Sequence, residues 1–306
     1  MGERVLAVIV CFNPKIEALA VALKAITEQV EHTVIVDNAS HNRDDIVSLV
    51  AELPTDAQAS VLPQTHNLGL GAAHNIGVRY ARQNQFDQVL ILDQDSVPLK
   101  GMVASLQSAL RAKQTGPVAA VGATYLNTDN GSESFFVRFG WLKFRRQYCA
   151  QRDSDGCLAA DFLISSGSLF PLESFSAIGS MDESLFIDHV DTEWFLRAKH
   201  KGFAAYGVCD AVMQHGLGEQ THQINFKRQR NVPQHKPFRY YYIFRNSVAL
   251  YKKRGLSWLW KWNDFQRLVL ISVMFGLWKR PRRQNLAMMA KGVWHGLRGV
   301  TGELKT

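Results

Sequence analysis

The chain has 306 residues, 46% of them hydrophobic, with a formal net charge of +8. That length suits one large α/β domain or one domain with an extension, and the apolar fraction excludes an intrinsically disordered chain. No run of about 18 apolar residues occurs. Met1–Arg4 is short and polar and Val5–Phe12 is too brief for an export signal, so neither a spanning helix nor secretion is expected.

In chain order, Val5–Cys11 reads as a buried strand, Ile16–Gln29 as a helix and Thr33–Val36 as a second strand ended by Asp37-Asn38. Ile46–Leu53 fits a helix, Ala59–Leu62 a third strand, Gly71–Asn84 a helix and Gln88–Leu92 a fourth strand ended by Asp93. Strands that are apolar throughout are buried on both faces, which predicts a parallel sheet under covering helices and a doubly wound α/β domain. Residues 118–170 alternate less regularly and predict mixed strand and loop. Met181–His200 contains a helix, Ala204–Met213 is a further apolar run, and from Pro237 onward the pattern is aromatic, basic and helical.

Charge divides the chain. Residues 1–225 hold 17 Lys+Arg against 25 Asp+Glu, a net of −8; residues 226–306 hold 18 against Asp264 and Glu303, a net of +16. A body (1–225) and a basic extension (226–306) follow, and basic segments seek phosphate in nucleic acid or in anionic lipid. In Ser257–Trp278 and Lys279–Arg283, large apolar residues stand beside clustered cations, which favours an anionic membrane surface; packing of the aromatics on the body is the alternative. No nucleic-acid module accompanies the charge, so nucleic acid is not an expected partner. The four cysteines, Cys11, Cys149, Cys157 and Cys209, include no CxxC pair, which argues against zinc; four reduced thiols in a cytosolic protein are expected.

In doubly wound sheets a ligand sits beyond the carboxyl ends of the strands. Three polar clusters fall there: Cys11–Pro14, Asp37–Ser40 and Asp93–Ser96. Asp93 and Asp95 could share a hard cation and its bound diphosphate, or form a solvated turn. The glycines of Asn67–Gly77 permit a close backbone approach or serve helix packing. On a helix Asp188 and Asp191 would share a face, either as an acidic first turn or with one carboxylate as general base. His215 has the chemistry of a metal ligand, although a lone histidine is more often structural.

The order VIVCFNP, VDNAS, NLGLGAAHNIG, LILDQDS, SSGSLF, DESLFIDHVDTEWFLRAKHKGF and RYYYIFRNS resembles glycosyltransferase family 2, and within it the bacterial rhamnosyltransferases, over about residues 5–251. The resemblance implies a GT-A fold, a Rossmann-like doubly wound mixed sheet with a helical, basic C-terminal extension. It implies Asp37 at the nucleotide base, Asn13 and Asn67 lining the nucleotide pocket with Gly69 and Asn75 beside them, and Asp93 facing the ribose. Asp95 and His215 would hold Mg2+ or Mn2+, and Asp191 would be the catalytic base. The family's usual Glu before that base is Val190 here, with Glu193 and Asp188 keeping the site acidic. Arg245 and Asn246 match a late pair that meets diphosphate or acceptor. The implied activity is inverting transfer of L-rhamnose from dTDP-L-rhamnose to a lipid-linked saccharide acceptor in bacterial surface polysaccharide assembly, such as O-antigen of lipopolysaccharide, at the inner face of the cell membrane. Transfer of galactofuranose, glucose or N-acetylglucosamine, or a catalytically silent glycolipid-binding scaffold, are the alternatives.

Overall fold

A computed structural model describes residues 2–54, 57–113, 116–127, 131–215, 221–226 and 228–305, without the side chains of 215, 221–226 and 228–233. The first half alternates as expected: β1 (Val5–Cys11), α1 (Ile16–Thr27), β2 (His32–Asp37), α2 (Arg43–Ala51), β3 (Ala59–Pro63), α3 (Leu70–Gln83), β4 (Gln88–Asp93), β5 (Ser96–Pro98) and α4 (Met102–Ala112). The less regular middle resolves into β6 (Val118–Asn127), β7 (Phe136–Arg138), β8 (Arg145–Gln147), β9 (Cys157–Ala160), β10 (Ser168–Pro171) and α5 (Leu172–Ile178). Then follow α6 (Val190–His200), β11 (Ala204–His215), the hairpin β12 (Thr221–Phe226) and β13 (Arg228–Pro233), α7 (Pro237–Lys252), α8 (Trp258–Ile271), a π-helical segment Ser272–Trp278, and α9 (Arg282–Arg298).

Among the described residues nine strands form one sheet in the order β3-β2-β1-β4-β10-β6-β11-β5, with β9 also on β11. β1, β2, β3 and β4 run parallel, whereas β10 is antiparallel to both β4 and β6. The sheet is therefore mixed. Alternate β1 residues enter different apolar layers: Leu6 and Val8 pack with Trp194 and Phe195 of α6, while Val5, Ala7 and Ile9 pack with Leu19 and Leu23 of α1 and Leu106 of α4. Burial on both faces explains the continuous apolar runs in the sequence. α1 contributes Leu19, Ala22, Leu23 and Ile26, the one-sided stripe of an amphipathic helix.

The basic extension folds back against the body. α7 is buried from Tyr240 to Ser247, and α9 crosses it closely: a Cβ on Gly292 would fall 2.4 Å from the Tyr241 carbonyl oxygen. Tyr240, Phe244, Leu268, Phe275 and Met289 form a small apolar cluster of their own, while Leu250 and Trp260 enter the main core. The expected division between residues 225 and 226 falls inside β12.

One expectation is corrected. Cys149 and Cys209 form a disulfide across 60 residues, leaving Cys11 and Cys157 as buried free thiols. The fold brings a short 3-10 turn at Cys149 against β11, a pairing that spacing along the chain does not reveal.

Candidate active site

The carboxyl ends of β1 and β4 open into a cleft of about 640 Å³. Asn38, Asn67, Gly69, Asp93, Asp95 and Asp191 line it, together with Ser165, Ser166, Phe186, Asp188, His189 and Arg239. Residues more than a hundred positions apart thus meet at the edge where open α/β sheets bind ligands.

On the side of β1, β2 and α3 the cleft rests on a lattice of short polar links. Asn38 donates from Nδ2 to Asn67 Oδ1 (2.9 Å) and accepts from the Leu68 N–H (2.9 Å), and Asn67 Oδ1 also accepts from the Gly69 N–H (2.9 Å). Gly69 has φ of +83°, and a Cβ there would lie 2.6 Å from the Phe186 carbonyl oxygen. Only glycine meets both demands, and the contact brings the start of α3 onto the loop that precedes α6. Asn13 and Asp37 are nearby but do not line the cleft. Asn13 Oδ1 accepts from the His41 N–H (2.8 Å). The Asp37 carboxylate is fully buried, accepting from the Ser40 N–H (3.0 Å) and from Arg43 Nε (2.8 Å).

Asp93 and Asp95 stand at the β4–β5 turn. The Asp93 N–H donates to Ser166 Oγ (2.9 Å), and the Phe12 N–H donates to Gln94 Oε1 (2.9 Å), fixing the turn against β1. Two carboxylates at one edge supply the hard oxygen donors that Mg2+ or Mn2+ takes beside substrate phosphates, so the donor set fits such an ion. No group of three or more candidate ligands occurs among the described residues. His215 ends β11 with its backbone paired to Ser96, next to Asp95; its side chain lies outside the described residues.

Asp191 is the second residue of α6. Its Oδ1 accepts from the Thr192 N–H (2.7 Å) and its Oδ2 from the Ser165 N–H (3.3 Å). Burial pushes the carboxyl up to about 6, with a smaller push from the charges of Asp188 and Asp93, against the pull of those two hydrogen bonds. A carboxylate tuned close to neutral pH is suited to accept a proton and still be ionised at rest.

The approach to Asp191 is strained. Phe186, Asp188 and His189 have φ of 65°, 62° and 63°, conformations that cost about 1–3 kcal/mol each outside glycine. Asn246 holds them: its Nδ2 donates to the carbonyls of Leu185 (3.0 Å), Ile187 (2.8 Å) and Asp188 (2.9 Å). Arg245 donates to the Leu185 carbonyl (2.7 Å) and to that of Gly302. Both side chains are buried, so the expected role of Arg245 and Asn246 in contacting diphosphate or acceptor is corrected: they shape the loop from beneath. Asn246→Leu removes the donor from one buried and two half-buried carbonyls and is expected to destabilise the protein by about 2 kcal/mol; an unchanged denaturation midpoint would contradict this.

Three further expectations change. Asp188 is not on α6 beside Asp191 but in the left-handed loop before it, reaching the same cleft by another route. Glu193, about 200° around the helix from Asp191, is buried against Arg197 (2.9 Å) and Lys253 (2.9 Å), away from the cleft. Asn75 does not face a ligand; it joins α3 to residues 181–183, donating to the Met181 carbonyl (3.0 Å) and Glu183 Oε1 (2.8 Å) and accepting from the Met181 N–H (2.9 Å). A Cβ on Gly77 would meet Val8 Cγ1 at 2.4 Å. Much of the glycine-rich stretch is thus explained by close packing of α3.

A mixed sheet with paired aspartates at one strand tip and a tuned carboxylate facing them is the architecture of a GT-A glycosyltransferase. The chain belongs to glycosyl transferase family 2, whose pattern matches residues 6–179, more than half its length. It is a glycosyltransferase similar to a dTDP-rhamnosyl transferase, RfbF of Shigella flexneri, at 27% identity over 99% of this chain and 98% of that one. Among solved structures, GalNAc-T7 with UDP, GalNAc and Mn2+ aligns with a TM-score of 0.62 at 13% identity over 97% of this chain; the chain spans 56% of that protein. The 1–349 portion of Staphylococcus aureus TarS in complex with UDP-GlcNAc aligns with a TM-score of 0.59 at 13% identity, over 97% of this chain and 81% of that one. At that identity these likenesses concern the fold.

Proposed function

We propose that the protein is an inverting rhamnosyltransferase that uses dTDP-L-rhamnose and a lipid-linked saccharide acceptor in bacterial surface polysaccharide assembly. The observation that carries the reading is the convergence of Asp93, Asp95 and Asp191 on one cleft. The choice of sugar is supported by the near full-length similarity to a dTDP-rhamnosyl transferase.

Asp191 accepts the proton of the acceptor hydroxyl as that oxygen attacks the anomeric carbon. The bond from that carbon to the diphosphate breaks, and its electron pair stays on the phosphate oxygen. A single displacement inverts the anomeric centre, and no covalent sugar–enzyme species is required. Mg2+ or Mn2+, held by Asp95 with Asp93 beside it, would supply Lewis-acid neutralisation of the leaving group. The strained loop that Asn246 supports from beneath keeps Asp191 aimed at the acceptor position. The test is a donor panel with purified protein and Mg2+ or Mn2+, reading nucleoside diphosphate release. dTDP-L-rhamnose is expected to turn over fastest; faster turnover of UDP-galactofuranose, UDP-glucose or UDP-N-acetylglucosamine would refute the assignment.

The reading includes peripheral attachment to the inner face of the membrane. No helix among the described residues is long and apolar enough to cross a membrane. However, the outer face of α8 and its π-helical continuation exposes Trp258, Trp262, Phe265, Val269 and Val273 at helical spacing, and the Trp141 ring packs edge-on against Trp258 at 5.2 Å. Arg280, Arg282 and Arg283 follow, all exposed. Aromatics beside cations suit an anionic interface, at about 1 kcal/mol per basic residue. Because Trp260 and Phe275 on the opposite face are core residues, point changes test this better than truncation. The double variant Trp262→Ser, Phe265→Ser is expected to lose about tenfold or more in partitioning to anionic vesicles; equal partitioning would reject the attachment.

A further inference from the structure

We propose that Arg239 is the side chain that grips the donor's diphosphate, a role that rests on the nucleotide-sugar reading above. The cleft is lined by four carboxylates, those of Asp93, Asp95, Asp188 and Asp191, and Arg239 is the single lysine or arginine among the described residues lining it. A diphosphate brings about two negative charges into this acidic surround, and its charge grows as the glycosidic bond breaks. A cation presented by the cleft adds its attraction to that of any metal.

Arg239 is placed for that task against local preference. It occupies the first turn of α7, where the helix dipole favours an anion over a cation, and that turn contains no acidic residue. Its guanidinium reaches 51 residues back to Asp188, with Nε to Oδ2 at 3.2 Å and Nη2 to Oδ1 at 2.5 Å. This two-pronged geometry matches a carboxylate and a phosphate equally well. Asp188 thus occupies the fork in the cleft, three residues before the base, where a phosphate would compete for it. As the anomeric carbon–oxygen bond breaks, the electron pair moves to the phosphate oxygen, where Arg239 would meet it. Arg245, six residues later on the same helix, cannot take this part because it is buried on the loop carbonyls.

The test is calorimetric titration of the full-length protein with dTDP, UDP and thymidine, in Mn2+ and without it, comparing wild type with Arg239→Ala, Arg239→Lys and Asp188→Asn. Arg239→Ala is expected to weaken dTDP binding by about 10–100-fold with thymidine binding unchanged, and Arg239→Lys to recover part of the loss. Asp188→Asn, which frees the fork, is expected to bind dTDP at least as tightly as wild type. In turnover, the Arg239→Ala loss should appear in kcat more than in KM. Equal dTDP affinity in wild type and Arg239→Ala would overturn the proposal. So would an equal loss in Arg239→Ala and Asp188→Asn, since that pattern marks a pair that only braces the loop. Failure of wild type to bind either nucleoside diphosphate would instead refute the nucleotide-sugar reading itself, and this inference with it.

Discussion

Asp191→Asn is expected to lower kcat/KM by about 10³-fold, within the range contributed by a positioned general base. The substitution keeps the shape of the side chain and an oxygen that can accept from the Thr192 or Ser165 N–H groups, so the fold should survive. What disappears is the ability to take a proton. Wild-type activity carries the matching pH signature. The group is raised to about 6, so its working, ionised form dominates above that value and is lost as pH falls through it. At pH 7 about nine-tenths is ionised and at pH 5 about one-tenth, so kcat/KM should drop roughly tenfold per unit on the acid side. The residual activity of Asp191→Asn should lack that limb. A variant with near wild-type rate, or one that retains the same acid limb, would remove Asp191 from the mechanism.

Asp95→Asn is expected to cost about 10²-fold or more in kcat/KM at fixed Mg2+ or Mn2+, the scale on which loss of one transition-state charge contact is felt. Exchanging a carboxylate for an amide removes a negative hard donor from the turn that Gln94 and Phe12 tie to β1. The deficit should narrow as metal concentration is raised, because the defect is in holding the ion. A rate that ignores both the substitution and the metal concentration would contradict the role.

The first half of the fold is readable in the sequence because its strands are buried on both faces. The apolar run Val5–Cys11 has the bounds of β1, and β2 and β4 extend their expected runs only slightly. Asp93, Asp95, Asp191, Asn67 and Gly69 all reach the expected cleft. The second half was harder because its pairing is non-local: β10 inserts antiparallel between β4 and β6, and no local periodicity encodes that choice. The same reason hides the Cys149–Cys209 disulfide. Arg245, Asn246, Glu193 and Asn75 show what motif matching leaves out. Residue type and order can agree with a family while the side chain points into the protein, as the hydrogen bonds of Asn246 to three loop carbonyls demonstrate. Asn38 and Arg239 escape motif matching for the converse reason. Asn38 sits inside a strand-end cluster beside the more conspicuous Asp37, and Arg239 stands in an aromatic helix where a cation reads as a solvated charge. An arginine in a helix's first turn was the available signal.

The most direct measurement is the structure of the complex with dTDP and Mn2+, with the metal located by its anomalous scattering. The account requires one Mn2+ peak at the Asp93–Asp95 turn, with the diphosphate running from it toward Arg239 and Asp191 facing the open side. A metal or nucleotide bound elsewhere, with this cleft empty, would contradict it.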